Sequence, residues 1–491
     1  MPRISVLVLS IWLLIVAFNS SAELDMERWC KITTSEFDLY GYSPRNRLQS
    51  LADSLLAFNA VTDQFMPGER IEGHRLRIVA FRNRKEFLDV FQQEEFIGFM
   101  HPSLRQHLLA FVLEERSIQP LEVAFHEYAH FLARSRLNIH VPLWYEEGFA
   151  QFLSTAQIRR DTAFVGKVPA RRLSRTIRRN AKDIDKILNS TPPFDWSRHD
   201  ITENYLVAWA VTHLLFRGVD SNGESLREQI PHLLKEMSEG LPADVALKKV
   251  THTDSKSLVK LLRNHLTKIK THESVTPIHI DWIKGKHPIS CLDQFERQVL
   301  LGEVLVQSNP LLAQDYLGRA QKSQPYDPGL LVTLSRAHAD DYQYSYSLAR
   351  QAIELDAQNV EANIRIADLL TWPCLLDLHD RCEDYFSLAS QFYLTALQQQ
   401  PKRVDAAFGL GVVYLELGRA GDGLNYLKVA HQRAPWSART NLFLGDAYRQ
   451  IGDYRMAREY LTKATLWETN DSWRAKAEET LESVVNRLAK K

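Results

Sequence analysis

The 491-residue sequence predicts an α+β domain followed by an all-α helical repeat domain. Three observations lead to this prediction. The first half mixes short runs of β-branched and aromatic residues with longer segments of helical apolar spacing. The second half has helical spacing throughout, and a set of small and apolar residues recurs in it at a fixed interval. A chain of this length also exceeds one ordinary domain.

Residues 23–271 form the predicted α+β domain. Short runs of β-forming residues predict strands at 76–81 and 108–113. Apolar residues spaced three and four apart predict helices at 121–137, 144–158, 204–216 and 226–237. Residues 272–290 are rich in His, Pro and Thr without a clear period, and we interpret them as a linker.

Residues 291–471 are predicted to form helical repeats. Leu410, Gly411, Tyr414, Gly423, Leu427 and Ala430 recur 34 positions later as Leu444, Gly445, Tyr448, Ala457, Leu461 and Ala464. This period resembles that of the tetratricopeptide repeat (TPR), which implies stacked helix pairs that form a solenoid and bind a protein partner. Residues 472–491 are then expected to form a capping helix with a polar outer face.

The N-terminus has the features of an export signal. Arg3 precedes an apolar run at 4–18, and small residues lead to a predicted cleavage after Ala22. Residues 1–22 are therefore interpreted as a signal peptide, which predicts a periplasmic or secreted chain without a membrane span after cleavage. The alternative is an uncleaved membrane anchor, which needs about 20 apolar residues.

Charge and cysteine content narrow the possible partners and cofactors. Lys+Arg and Asp+Glu both number 60, so no general basic surface for nucleic acid is expected. Four cysteines in an exported chain favour disulfides, and Cys374 and Cys382 are close enough to bridge one loop. A Cys30–Cys291 pair is possible in principle, but sequence alone does not establish connectivity.

The motif His126-Glu127-Tyr128-Ala129-His130 is the central candidate for chemistry. Residues four apart on a helix share one face, so both imidazoles can bind one Zn²⁺. Glu127 is rotated by about 100° from the histidines, where it can act as a general base toward water at the metal. The alternative is a helix whose two histidines and glutamate have no common role.

The following segment offers two candidates for a third zinc ligand. A catalytic zinc uses three protein ligands, and two histidines with a glutamate form a known set. Pro142 suits the start of a second helix, in which both Glu146 and Glu147 come early. The residues alone leave the choice between these two carboxylates open.

The HExxH motif followed by Trp144-x-x-Glu147-Gly148-x-Ala150 resembles the glutamate zincins, and especially the peptidase MA-like families of exported bacterial proteins. The resemblance covers about residues 76–268. It implies a zincin-like metallopeptidase fold with His126, His130 and Glu147 as the zinc ligands and Glu127 as the catalytic base. The glutamate before glycine is the ligand in that pattern, so Glu146 is expected at the surface or in support of a ligand. Gly148 is expected to let the two zinc-bearing helices pack closely.

Further residues are candidates for supporting roles. Tyr205 resembles the tyrosine that leads the next helix in the same families, where its hydroxyl would donate to the oxyanion of a tetrahedral intermediate. The alternative is that Tyr205 and Trp209 form a core stripe. His213 is predicted to be structural, and Gln151 is a candidate hydrogen-bond partner for the ligands. The basic residues within 159–182 are predicted to be solvated, or else to form a positive rim that selects an acidic polypeptide.

These features predict a zinc-dependent metallopeptidase that hydrolyses a polypeptide substrate in an exported compartment. The TPR repeats would bind a partner or the substrate. The alternative is a TPR binding scaffold whose zincin-like domain is weak or inactive. The complete set of His126, Glu127, His130 and Glu147 favours the enzyme, because loss of the base is the simplest route to inactivity.

Overall fold

The computed structural model describes most of the chain. The described residues are 28–42, 45–66, 76–92, 97–114, 120–137, 141–167, 184–189, 198–220, 222–271, 278–279, 285, 287–376 and 382–490. The predicted signal peptide, most of the predicted linker and the basic residues between 168 and 182 lie outside the described residues. The chain divides into two compact units, each assembled from segments that are separated in sequence.

Strands and helices alternate in the front part of the chain. The strands are β1 (Trp29–Thr33), β2 (Phe37–Tyr42), β3 (Leu76–Asn83), β4 (Gly98–His101), β5 (His107–Glu114), β6 (Gln157–Arg159), β7 (Thr162–Phe164), β8 (Ile278–His279) and β9 (Ile289–Cys291). The helices are α1 (Arg45–Asp63), α2 (Arg84–Phe91), α3 (Pro120–Arg136), α4 (Leu143–Ser154), α5 (Ile184–Leu188), α6 (Arg198–Arg217), α7 (Ile230–Ser238), α8 (Ala243–Thr251) and α9 (Ser255–Thr271), with a 3-10 turn at Leu226–Gln229.

The predicted strands at 76–81 and 108–113 are present, and so are helices over most of the four predicted helical segments. The helix predicted at 144–158 is too long, because α4 ends at Ser154. Ile158 instead lies in β6 and pairs with Ala163 of β7. Ile158 is β-branched and suits a strand. Its spacing from the apolar residues of α4 also fits a helix, which is why the predicted helix is too long.

The rest of the chain is helical. Its helices are α10 (Gln294–Leu305), α11 (Pro310–Ser323), α12 (Pro328–Ala337), α13 (Tyr342–Leu355), α14 (Val360–Leu375), α15 (Cys382–Gln399), α16 (Val404–Glu416), α17 (Ala420–Arg433), α18 (Ala438–Gln450), α19 (Tyr454–Trp467) and α20 (Asp471–Leu488). Short polar side chains at several starts accept a backbone N–H, as Asp293 and Asp327 do. The predicted Cys374–Cys382 disulfide is present and joins α14 to α15. Over the described residues, no helix is both long and apolar enough to cross a membrane.

The first unit comprises Met1–Ala52, Arg75–Pro120 and Gly285–Val413. Its six-stranded sheet has the order β4-β5-β3-β2-β1-β9, with β2, β3 and β5 parallel to one another. Cys30 and Cys291 are paired across β1 and β9 and form a second disulfide. One hydrophobic core joins the sheet and α2 to α10, α11 and α12 through the buried residues Phe81, Phe87, Leu301, Tyr316 and Leu330. The helices α10–α12 therefore complete the core on which the sheet depends.

The second unit comprises Asp53–His74, Leu121–Lys284 and Tyr414–Lys491. It contains α3 to α9, a three-stranded antiparallel sheet of β6, β7 and β8, and the helices from α17 onward. Helix α4 packs along α6, and α19 packs between α18 and α20. Aromatic rings fill the space beside α3 and α4, where Phe58 stacks on Phe125 and Phe152 stacks on Phe216.

The pair α10 and α11 in the first unit gives a direct test of helix packing. A Cβ on Gly302 would collide with Leu317 of α11, whereas a Cβ on Gly318 of α11 would meet no atom within 4 Å. We expect Gly302→Ala to lower the free energy of unfolding by about 1–3 kcal/mol through overpacking. Gly318→Ala should raise it by up to about 1 kcal/mol, because alanine favours a helix interior.

Denaturant unfolding followed by circular dichroism measures both variants. The matched change at Gly318 controls for helix propensity. Equal shifts in the two variants, or stabilisation by Gly302→Ala, would contradict the packing of α10 against α11.

Candidate metal centre

Helix α3 buries most of its surface, which fixes the orientation of its two histidines. Val123, Ala124, Tyr128 and Ala129 are buried, and Phe125 stacks on Phe58 of α1 with ring centroids 4.2 Å apart. The C-terminal end is held by an ion pair of 2.5 Å between Arg136 and Asp63. With its apolar faces engaged in this way, the helix has little freedom to rotate about its axis. The HExxH residues therefore project from a rigid element.

Helix α4 brings the predicted third ligand to α3. Pro142 occupies the N-cap position in an extended conformation, so Glu146 and Glu147 fall in the first turn and the turn that follows. A Cβ on Gly148 would collide with the carbonyl of Ala208 and the hydroxyl of Thr212, both on α6. Gly148 thus allows close helix packing, as expected, but the helix that packs against it is α6. The backbone of α4 approaches α6, and the prediction that Gly148 adjoins the other zinc-bearing helix is wrong.

Three donor atoms converge between α3 and α4. His126 Nε2 lies 3.3 Å from His130 Nε2 and 3.4 Å from Glu147 Oε2. His130 Nε2 lies 3.8 Å from the same carboxylate oxygen. Two ligand atoms that are about 2.0–2.1 Å from a tetrahedral zinc are about 3.3–3.4 Å from each other. The donor types and their separations therefore fit Zn²⁺, and these three residues are a group that can share one ion within the described chain.

Glu146 supports one histidine of this group. Its Oε1 lies 3.3 Å from His130 Nδ1, accepts a hydrogen bond of 3.0 Å from Arg134 Nε and forms an ion pair of 2.9 Å with Arg134 Nη2. A carboxylate on the second ring nitrogen fixes the tautomer and orientation of a metal-binding histidine. Arg134 was not predicted from the sequence. The available signal was its position four residues after His130, on the same helical face.

The charges around the donor atoms suit a cation. Burial lowers the pKa of His130, but the carboxylates of Glu147 and Glu146 outweigh burial and raise that pKa to about 9. Burial also opposes ionisation of Glu147, yet the imidazoles of His130 and His126 keep the pKa of this carboxyl below its usual value. Glu147 is thus an anion at neutral pH, as a metal ligand must be. Glu127 adds a further negative charge beside His130.

Tyr205 reaches the same site from α6. Burial and the nearby carboxylates of Glu147 and Glu127 raise the pKa of its phenol, and its hydroxyl hydrogen-bonds Glu147. Trp209, one turn later, is fully buried and packs on His213. Trp209 is thus a core residue, as the alternative predicted, whereas Tyr205 contacts Glu147. Helix α6 begins at Arg198, so Tyr205 lies in its second turn and does not lead the helix as the resemblance implied.

The other candidates are not among the three donor residues. The side chain of Gln151 makes no hydrogen bond within the described part of the chain, and its carbonyl accepts one from the hydroxyl of Ser154. His213 binds the carbonyl of Gly166 through Nε2 at 3.1 Å and His265 through Nδ1 at 2.8 Å. Its contacts are therefore structural. Of the basic residues in the range 159–182, the described members Arg159, Arg160 and Lys167 are exposed.

Comparison with known proteins identifies the repeat. Residues 438–471 match the tetratricopeptide repeat family, and α18 with α19 forms this segment. The predicted TPR is thereby confirmed. No relative was found among curated proteins.

Solved structures of other proteins resemble part of this chain. A thermophilic TPR protein of Thermus thermophilus is 18% identical with a TM-score of 0.32, and the match covers 38% of this chain and 98% of that one. PilF of Pseudomonas aeruginosa is 16% identical with a TM-score of 0.32, over 40% of this chain and 90% of that one. YrrB, a TPR protein with an unusual peptide-binding site, is 14% identical with a TM-score of 0.29, over 37% and 91%. None of these comparisons identifies a metallopeptidase, so the zincin resemblance stays a prediction.

The positions of Glu146 and Glu147 predict different effects on metal binding. Glu147→Ala removes a donor atom and should abolish stoichiometric zinc binding. Glu146→Ala removes only the support of His130 and should weaken binding about 10–100-fold. Elemental analysis and competition with a chromogenic chelator measure both variants. Weaker binding by Glu146→Ala than by Glu147→Ala would mean that the ligand is misassigned.

The buried His213 predicts a pH dependence of stability. Burial and the neighbouring His265 and Arg217 lower its pKa to about 3. The unfolded chain therefore binds a proton below about pH 6.5 that the folded chain does not bind, so stability falls as the pH drops from there toward 3. Each pH unit in this window costs up to about 1.4 kcal/mol.

Between pH 6.5 and 5, His213→Gln should flatten the slope of unfolding free energy against pH. His232→Gln, at an exposed histidine of α7, should retain the wild-type slope. Identical slopes for wild type and His213→Gln would show that His213 is not held neutral.

Proposed function

We propose that this chain is a zinc-dependent peptidase in which His126, His130 and Glu147 hold the metal. The observation that supports it most strongly is the convergence of three donor atoms at 3.3, 3.4 and 3.8 Å from one another. The proposal includes an exported compartment and a polypeptide substrate. It assigns to the TPR repeats the binding of a protein partner or of the substrate.

Zinc in this site would supply Lewis-acid chemistry, which makes water a better nucleophile near neutral pH and polarises a carbonyl. Glu127 is the general base. It adjoins His126 on α3 and interacts electrostatically with both His130 and Tyr205, so its carboxylate faces the same space as the donor atoms. There it takes a proton from the attacking water and delivers it to the leaving amine.

Two further groups prepare the site for hydrolysis. The Tyr205 hydroxyl donates its one proton to Glu147 in this structure, and by turning from Glu147 to the substrate carbonyl oxygen it can stabilise the negative charge that develops there. Glu146, held by a hydrogen bond and an ion pair with Arg134, keeps the Nδ1 edge of His130 occupied and its Nε2 edge directed at Glu147. Both groups act through fixed position, which is the main contribution a folded chain can make to such chemistry.

A second candidate function is a TPR binding scaffold in which the metal site has little turnover. The match of residues 438–471 to the TPR family favours this function more directly than it favours the peptidase. Removal of the helices after Cys291 is not a clean test of the scaffold, because α10–α12 complete the core of the first unit. Point substitutions at the metal site separate the two functions without this loss of structure.

Glu127→Gln is the substitution that separates them. Glutamine preserves the shape of glutamate but does not accept the proton, so the variant should bind about one zinc per chain and fold normally. Its hydrolysis of a fluorogenic unstructured casein should fall by about 10²–10⁴-fold. Glu239→Gln, at an exposed carboxylate of the same unit, should keep wild-type activity.

A chelator should abolish hydrolysis by the wild type, and added Zn²⁺ should restore it. Wild-type protein that contains zinc but cleaves no faster than Glu127→Gln, in the assay and in the cell, would overturn the peptidase in favour of the scaffold.

A further inference from the structure

The first unit contains a cavity whose walls are rich in arginine. Its volume is about 770 Å³, within the usual range for small-ligand sites. Arg77, Arg105, Arg336 and Arg365 line it, against a single described carboxylate in the lining, that of Glu303. All of these residues lie in the same unit. The cavity is independent of the residues proposed for peptide hydrolysis.

Three of the four arginines have carboxylate partners. Arg77 and Arg105 both bind Glu303, the latter at 3.4 Å. Arg105 also contacts Glu361 at 3.1 Å, and Arg336 contacts the same carboxylate at 2.7 Å. Each carboxylate is shared by two or more guanidinium groups, so neither is available to a further cation. Four guanidinium groups therefore line the cavity beside one described lining carboxylate, that of Glu303.

Arg365 is the exception. Its guanidinium donates to Ser335 Oγ, to the carbonyl of Ser335 and to Ser345 Oγ at 2.8–2.9 Å, and it makes no ion pair with a carboxylate in the described chain. Asp368 attracts it, but that carboxylate accepts a hydrogen bond of 2.7 Å from Tyr393. Burial and the neighbouring Arg336 and Arg105 lower the pKa of Arg365 to about 10. Arg365 thus interacts with Asp368 without a direct ion pair, and hydrogen bonds to neutral groups hold its guanidinium in place.

Other residues of the cavity lining are apolar. Phe91, Phe99, Leu108 and Val304 contribute to it, and Phe91 and Val304 belong to the buried core of the unit. The arginines and the apolar side chains of the lining together suit a ligand that has an anionic head and an apolar body. A guanidinium fork binds carboxylate or phosphate through paired hydrogen bonds, and the apolar surface gains from covering a hydrocarbon group.

We propose that this cavity binds an anionic ligand that carries a carboxylate or phosphate head and an apolar body. The head lies against Arg365 and its arginine neighbours, and the body covers the aromatic and aliphatic wall. The alternative is a purely structural ion-pair network, in which the arginines serve only to hold Glu303 and Glu361 in place. The two alternatives differ in whether the charge of a ligand head matters.

Three probes with the same eight-carbon tail test the proposal on the full-length chain. They are nonanoate, octyl phosphate and uncharged octanol. Calorimetry should show one site that binds at least one of the two anions at least tenfold more tightly than octanol. The better anion identifies the head group. Deuterium exchange should show protection by that anion in the cavity segments at 98–108 and 303–308.

Arg365→Gln should weaken binding of the preferred anion at least tenfold, whereas Arg350→Gln, at an exposed arginine of α13, should leave it unchanged. If Arg365→Gln does not fold, the comparison of charged and uncharged tails on the wild type decides. Equal binding of octanol and the anions, no binding of either anion, or full binding by a folded Arg365→Gln would overturn the proposal.

Discussion

A buried charge must meet an opposite charge, a metal ion or a set of hydrogen bonds, and this constraint explains the two polar centres of the chain. In the second unit, Glu147 is an anion held by two imidazoles, and Glu146 is an anion held by Arg134. In the first unit, Glu303 and Glu361 are each shared among several arginines. Each centre is buried beside a hydrophobic core, so its groups have few alternative positions.

The arrangement at the proposed zinc site depends on helix packing. Gly148 lets α4 lie directly against α6, and Glu147, the preceding residue of α4, meets the histidines of α3. The same helix α6 carries Tyr205 to Glu147. The contact at Gly148 therefore helps to hold α4 in the position from which Glu147 meets the two histidines of α3. The chemistry proposed for Glu127 requires that arrangement, because a base is useful only when the attacking water is held in place.

The sequence predicted the local features well and the tertiary ones poorly. Helices α3 and α4 followed from apolar spacing, and the candidate donors from a motif whose geometry is local to a helix. The choice between Glu146 and Glu147 came from a family resemblance, since adjacent residues have no periodicity to separate them. Arg134, the packing partner of Gly148 and the Cys30–Cys291 pair required three-dimensional contacts. So did the core shared by the sheet and α10–α12, because its members come from sequence positions as far apart as Trp29 and Ala337.

The central claim is that two imidazoles and one carboxylate form a zinc site, and X-ray absorption spectroscopy at the zinc edge tests it most directly. Protein purified without added chelator and supplied with one equivalent of Zn²⁺ should show four nitrogen or oxygen neighbours at about 2.0–2.1 Å, with the outer scattering of two imidazole rings. His130→Ala should remove one ring from that signal. A spectrum without imidazole scattering, or one that is unchanged in His130→Ala, would contradict the site and with it the proposed peptidase.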